Sequence, residues 1–123
     1  MSHITTIKDI LIKDLEALEK AVQRISDTRL EVHEPKPIRL YQKEPMLAVA
    51  QVKFDSWTYP VLVAPTGEIH YDNYNGKWGD ISHLNKLKQM YGIEKSKKLA
   101  HAQGYVCREK QKQDGAIVLE LTR

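Results

Sequence analysis

Apolar and polar positions change period several times along the chain, and each change predicts an element. Leu47 to Phe54 is the clearest strand: Leu47, Val49, Gln51 and Lys53 alternate with Ala48, Ala50, Val52 and Phe54. The second set is the more apolar and is expected to meet helices. Upstream, His3 to Ile12 is rich in β-branched residues and predicts a first strand. Asp14 can cap the helix that follows, in which Leu15, Leu18, Val22 and Ile25 recur at helical spacing as far as Ser26-Asp27. Glu16 and Lys20 stand four apart on its polar face, and Arg24 falls in its last turn, where the carbonyl end favours a cation.

Leu30 and Val32 flank Glu31 and suggest a short second strand, which Pro35 and Pro37 are expected to break because neither can donate a ladder hydrogen bond. Ile38 to Tyr41 is read as an edge segment. Tyr59 to Ala64 and Glu68 to Asp72 form a hairpin across Pro65-Thr66-Gly67, since the connection is too short for a parallel crossover. A polar, aromatic loop spans Asp72 to Asp80. Asp80 or Ser82 then caps a second helix with Ile81, Leu84, Leu87 and Tyr91 as its apolar stripe. Gly92 interrupts that helix either as a kink or as a tolerated residue, and Gly104 terminates it. Tyr105 to Glu109 and Ala116 to Leu121 are strands joined across Lys112-Gln113-Asp114-Gly115, a strong hairpin signal. The order predicts one α+β domain over residues 1–123: a mainly antiparallel sheet with two helices on one face, for which a ferredoxin-like arrangement with extra strands is one topology.

Composition narrows the class further. A chain of 123 residues can build one core without metal or disulfide staples. The 19 basic and 16 acidic residues are interspersed and leave a net charge of +3, too small to drive wholesale binding to nucleic acid. Cys107 is the single cysteine, which excludes an intrachain disulfide and a multi-thiolate zinc site and suits a reducing compartment. No apolar run reaches membrane-span length, and the first residues show no basic segment leading into a long apolar stretch, so no secretory signal is expected.

Met1-Ser2-His3-Ile4-Thr5-Thr6-Ile7-Lys8, followed by Asp14-Leu15-Glu16-Ala17-Leu18, resembles the opening of a conserved family of unknown function from cyanobacteria and algal plastid genomes, with wider bacterial relatives. The likeness extends to Tyr71, Asp72 and Trp78, to Leu84-Asn85-Lys86-Leu87 through Tyr91, and to Gly104-Tyr105 with Asp114-Gly115. It departs from that pattern in its middle, where the proline-containing region is longer and more basic. The resemblance implies a cyanobacterial cytoplasm or plastid stroma and brings no catalytic or ligand residues with it.

The candidate chemistry centres on the 72–80 loop. Asp72, Asn73, Tyr74, Asn75, Lys77 and Trp78 could grip a partner, because loops held by a rigid sheet often carry function. The competing reading makes Trp78 a plug between sheet and second helix, with Gly76 and Gly79 supplying positive φ. A calcium loop does not fit, since Tyr74 and Gly76 fall where ligands are needed. Asp80 and His83 lack a third ligand, and His3, His33, His70 and His101 are scattered, so no metal is expected. No phosphate-cradling loop, nucleophile elbow or dinucleotide fingerprint calls for a cofactor. Cys107 alternates with Val106 and Arg108 in a strand, which favours a structural thiol over a nucleophile.

Residues 80–123 hold nine Lys or Arg against five Asp or Glu. Lys86, Lys88, Lys95, Lys97 and Lys98 on the second helix could therefore touch phosphates, or simply form a solvated face. The sequence favours a small non-catalytic accessory or assembly protein that binds another protein. The alternatives are a nucleic-acid binder using those lysines and an enzyme with its site around Tyr71, Asp72 and Trp78.

Overall fold

The computed structural model describes residues 4–123. In chain order the elements are β1 (Thr5–Ile7), α1 (Leu15–Gln23), β2 (Thr28–Ile38), β3 (Met46–Phe54), β4 (Val61–Val63), β5 (Ile69–Tyr71), a 3₁₀ turn (Tyr74–Gly76), α2 (Ile81–Ala102), β6 (Val106–Gln111) and β7 (Ile117–Thr122). The fold is α+β. Five strands form one antiparallel sheet in the order β1-β5-β4-β3-β2, and β6 pairs with β7 in a separate antiparallel ribbon.

The period-2 alternation of side chains sorts this sheet into two faces. Ile7, Ile69, Val63, Ala50 and Val32 pair in a continuous row across all five strands, and Thr6, His70, Leu62, Gln51 and Glu31 form the adjacent row on the opposite side. The first face carries the main core. Ala17, Leu18, Ala21 and Val22 of α1 and Leu84, Leu87, Met90 and Tyr91 of α2 pack against Val52, Phe54, Val61, Val63 and Ile69. Full burial of each Leu, Ile or Val side chain contributes roughly 1.5–3 kcal/mol. Both helices therefore lie on one face, as the apolar alternation requires.

Helix boundaries follow local capping chemistry. Asp14 accepts a hydrogen bond from the Ala17 backbone N–H at 3.0 Å, and Asp80 accepts one from Ser82 at 2.9 Å. α2 ends in a two-bond cap: Tyr105 N–H reaches the Ala100 carbonyl at 2.9 Å and Gly104 N–H reaches His101 at 3.0 Å, with Gly104 at φ +86°. Gly92 lies inside one continuous helix, Ile81–Ala102, and does not end it.

Several expectations are corrected. The first strand was expected over His3 to Ile12; it covers Thr5–Ile7, and His3 lies outside the described residues. Ile12 is buried as a lead-in to α1 and donates its N–H to the Gly67 carbonyl at 2.8 Å. The first helix stops at Gln23, not Ser26-Asp27; Arg24 caps it, and Asp27 takes a left-handed conformation that turns the chain into β2.

The largest correction concerns the prolines. β2 runs continuously through Pro35 and Pro37, with a register shift between Val32 and Lys36. An edge strand has one neighbour and needs only alternate N–H groups for it, so it tolerates residues that would break an interior strand. Ala48, expected with the helix-facing set of β3, instead joins a second cluster with Leu40 and Leu62, beside the register shift. The topology is also a meander, β2 to β5, flanked by β1, with no parallel pair, and so is not the ferredoxin-like split.

The β6–β7 ribbon forms across Gly115 (φ +88°), as the Asp-Gly pair predicts, but it docks on the helices rather than extending the sheet. Ile117 and Leu119 pack on the core, whereas Leu121 is exposed. Arg24 locks the ribbon in place: its guanidinium donates to Glu109 at 2.9 and 2.7 Å and to the buried Glu94 at 2.7 Å.

Candidate functional site

The loop after β5 is folded by its own backbone and short polar side chains. Asp72 accepts from the Tyr74 N–H at 3.1 Å, Gly76 and Trp78 donate N–H groups to the Asn73 carbonyl at 3.0 and 2.9 Å, and Asn73 Nδ2 donates to the Gly79 carbonyl at 3.1 Å. Tyr74, Asn75 and Gly76 all have positive φ (49°, 53° and 94°). Two of the three carry side chains, so the loop holds backbone strain that its hydrogen bonds offset. Asp72 is 1% exposed, and its Oδ2 has no hydrogen-bond partner among the described residues. A buried acceptor left unpaired is costly, which adds to the strain at this corner.

This geometry presents a cluster of aromatic rings. Trp78 packs against Tyr74 with ring centroids 4.8 Å apart and against Tyr41 and Tyr59 at 5.2 Å each, with the latter two edge-to-face. Tyr41 and Tyr59 lie 6.2 Å apart. The rings come from three segments: the turn after β2, the approach to β4, and the 72–80 loop. The Thr58 N–H donates to the Trp78 carbonyl at 2.8 Å and ties two of them together. Tyr41 follows the fully buried Leu40, has φ +49° and is 45% exposed; Tyr59, Tyr74 and Trp78 are half-buried. The Lys77 ammonium lies 4.8 Å from the Tyr74 ring centroid, and Asn75 and Lys77 are exposed at the rim.

The role expected of Trp78 as a plug belongs to Trp57. The Trp57 indole is buried between Phe54 and Tyr71, with centroids 5.2 and 6.0 Å away, and donates from Nε1 to the Asp80 carbonyl at 3.1 Å. Gly79 does not supply positive φ; it is needed because a Cβ there would overlap the Trp57 ring. Gly76 does take positive φ. Trp57, Tyr41 and Tyr59 escape a reading of the sequence because, apart from Phe54 beside Trp57, their partners lie far away along the chain. The paired aromatics of Trp57-Thr58-Tyr59 are the one local hint.

Tyr71 packs on the helix-covered core, while His70, whose neighbours in the row are Thr6 and Leu62, faces the other way. The His70 Nδ1 is 2.9 Å from the Thr6 Oγ1, and burial pushes the imidazole below its ordinary pKa. Three of the five lysines of α2 are ion-paired within the domain. Lys95 and Lys98 bind Asp14 at 3.3 and 2.9 Å, and Lys97 binds Glu109 at 3.2 Å, leaving Lys86 exposed and Lys88 half-buried.

Among the described residues no three His, Cys, Asp or Glu side chains are grouped to hold a metal ion, and no helix is long and apolar enough to cross a membrane. Compared with protein-family models, curated proteins and solved structures, the chain matches none.

Proposed function

We propose that the chain is a non-catalytic binding module that docks another protein on the Tyr41, Tyr59, Tyr74 and Trp78 cluster, with Asn73, Asn75 and Lys77 as its polar rim and Asp72 as the buried post beneath it. The observation that carries this reading is the gathering of four aromatic side chains from three segments at the surface, two of them on residues with positive φ. Tyr and Trp dominate the energetics of protein interfaces because they offer large contact area at low entropic cost. Rings already fixed against each other lose little further freedom on binding. Following the family resemblance, the partner belongs to a cyanobacterial cytoplasm or a plastid stroma, where this protein acts as an accessory or assembly factor.

The test is affinity capture from such an extract with the intact chain, Tyr41→Ala and Trp78→Ala, with folding checked by circular dichroism. A stoichiometric protein retained by the parent and lost from both folded variants supports the reading. Capture that survives both substitutions, or that disappears on nuclease treatment, overturns it.

A further inference from the structure

The outer edge of β2 carries a second recognition surface, independent of the aromatic cluster. The apolar row across the sheet is fully buried at Ile69, Val63 and Ala50 but ends at Val32, which is 53% exposed. Beside it, between α1 and β2, lies an open groove of about 710 Å³ whose apolar lining includes Val22, Ile25 and Leu30. Among the described residues no strand pairs with this side of β2.

The backbone phase of the edge is defined. Asp55 donates its N–H to the Asp27 carbonyl at 2.9 Å, and the register continues with Thr28 opposite Phe54 and Arg29 opposite Lys53. Asp27, Arg29 and Glu31 therefore direct their backbone groups to β3, and Thr28, Leu30 and Val32 direct theirs outward. Beyond Val32 the register shift, Pro35, Lys36 and Pro37 are the devices that natural edges use to refuse a new strand. The open stretch is confined to Thr28–Val32.

We propose that this stretch pairs with the same stretch of a second copy of the chain, antiparallel about a two-fold axis at Leu30. That register is the one that engages all three outward-facing residues: Leu30 meets Leu30, and Thr28 meets Val32 twice. It sets Arg29 of each copy opposite Glu31 of the other, so the edge is complementary in charge to itself. Arg29 is free to turn, being 74% exposed in its side chain and held among the described residues by a 3.7 Å contact with Asp55, while Glu31, 46% exposed and bound to Lys53 of its own β3 at 2.9 Å, keeps its second carboxylate oxygen for the incoming guanidinium. Val32 of each copy, opposite Thr28, covers the apolar groove of the other. A second chain thus supplies the missing sixth strand, and the sheet continues through the axis.

Sedimentation equilibrium of the full chain across a wide concentration range tests this, together with amide exchange measured at both ends of that range. The expected result is a monomer–dimer equilibrium in which the Leu30 and Val32 amides become protected on dimerisation while those of Arg29 and Glu31 do not change. Arg29→Glu and Glu31→Arg should each weaken association by about tenfold or more, since two attractive pairs become repulsive. Combining them should recover most of the loss, and Tyr41→Ala should leave association unchanged. A monomer at every concentration overturns the proposal. So does a dimer that ignores the single charge reversals, is not recovered by the pair, or shows no concentration-dependent protection at Leu30.

Discussion

The indole of Trp57 lies flat enough against Gly79 that a methyl group on that glycine would run into the ring carbons. The glycine is required by close approach rather than by backbone conformation, because its φ is not positive. Trp57 cannot easily retreat, since Phe54 and Tyr71 flank it and Nε1 is bonded to the Asp80 carbonyl, the residue that caps α2. Gly79→Ala is therefore expected to cost about 1–3 kcal/mol of stability, the usual range for overpacking a filled site. Urea unfolding measures the cost. A red shift in tryptophan emission from the folded protein would report the indole pushed towards water.

Gly92 is the opposite case. It sits in the interior of α2 on an exposed face, and a Cβ there would meet nothing within 4 Å. Alanine removes conformational freedom from the unfolded chain and costs the folded one no contact. Gly92→Ala should stabilise the domain by about 0.5–1 kcal/mol and raise its thermal midpoint by a few degrees. A decrease on calorimetric unfolding would mean that the helix needs its glycine for a bend.

These two glycines illustrate what is legible from sequence alone. Features set by neighbours in the chain can be read: the alternation of β3, the Pro65-Thr66-Gly67 and Asp114-Gly115 turns, and the caps Asp14 and Asp80. Features set by where an element lies in the fold cannot. Pro35 and Pro37 predict a break, yet β2 is an edge strand and continues through them. Trp78 reads from the sequence as a plug under α2 as readily as a binding residue, and only the tertiary arrangement buries Trp57 there and leaves Trp78 half-buried. The 72–80 loop stands out as polar and aromatic, but its partners Tyr41 and Tyr59 reach it through contacts spanning many residues, which no local pattern encodes.

Arg24 joins three elements, one through its backbone and two through its guanidinium. It caps α1, bonds the buried Glu94 of α2 and grips both carboxylate oxygens of Glu109 on β6. The two glutamates hold the guanidinium above its already high ordinary pKa, and Arg24 in turn holds Glu109 below the usual carboxylate range. Arg24→Ala leaves Glu94 with only the longer 3.7 Å contact to Lys97. The expected loss is about 1–3 kcal/mol, below the range for a fully buried pair because Arg24 is partly exposed. Amide exchange should speed up first in the β6–β7 ribbon, whose tie to α1 is gone. Arg24→Lys should recover only part of the loss, because a lysine cannot supply the two-pronged contact with Glu109.

Asp14 performs two tasks that pH can separate. Its carboxylate caps α1 through Ala17 and also binds Lys98 at 2.9 Å and Lys95 at 3.3 Å on α2. Lys98 first, then the Ala17 N–H, lower its pKa from 3.8 to about 2, against a smaller opposing effect of burial. Because the folded-state value lies below the unfolded one, the charged carboxylate contributes its full stabilisation above pH 3.8, and that contribution fades as pH falls towards 2. Asp14→Asn keeps an oxygen for the cap but removes the charge. Its destabilisation relative to the parent should therefore be large at neutral pH and shrink across the window from 3.8 to about 2. Asp14→Ala loses the cap as well, and should remain less stable than Asp14→Asn by roughly 1 kcal/mol at every pH. Denaturant titrations of the three proteins between pH 2 and 7 separate the two contributions. A destabilisation by Asp14→Asn that stays constant across that window would show that the lysines contribute nothing through charge.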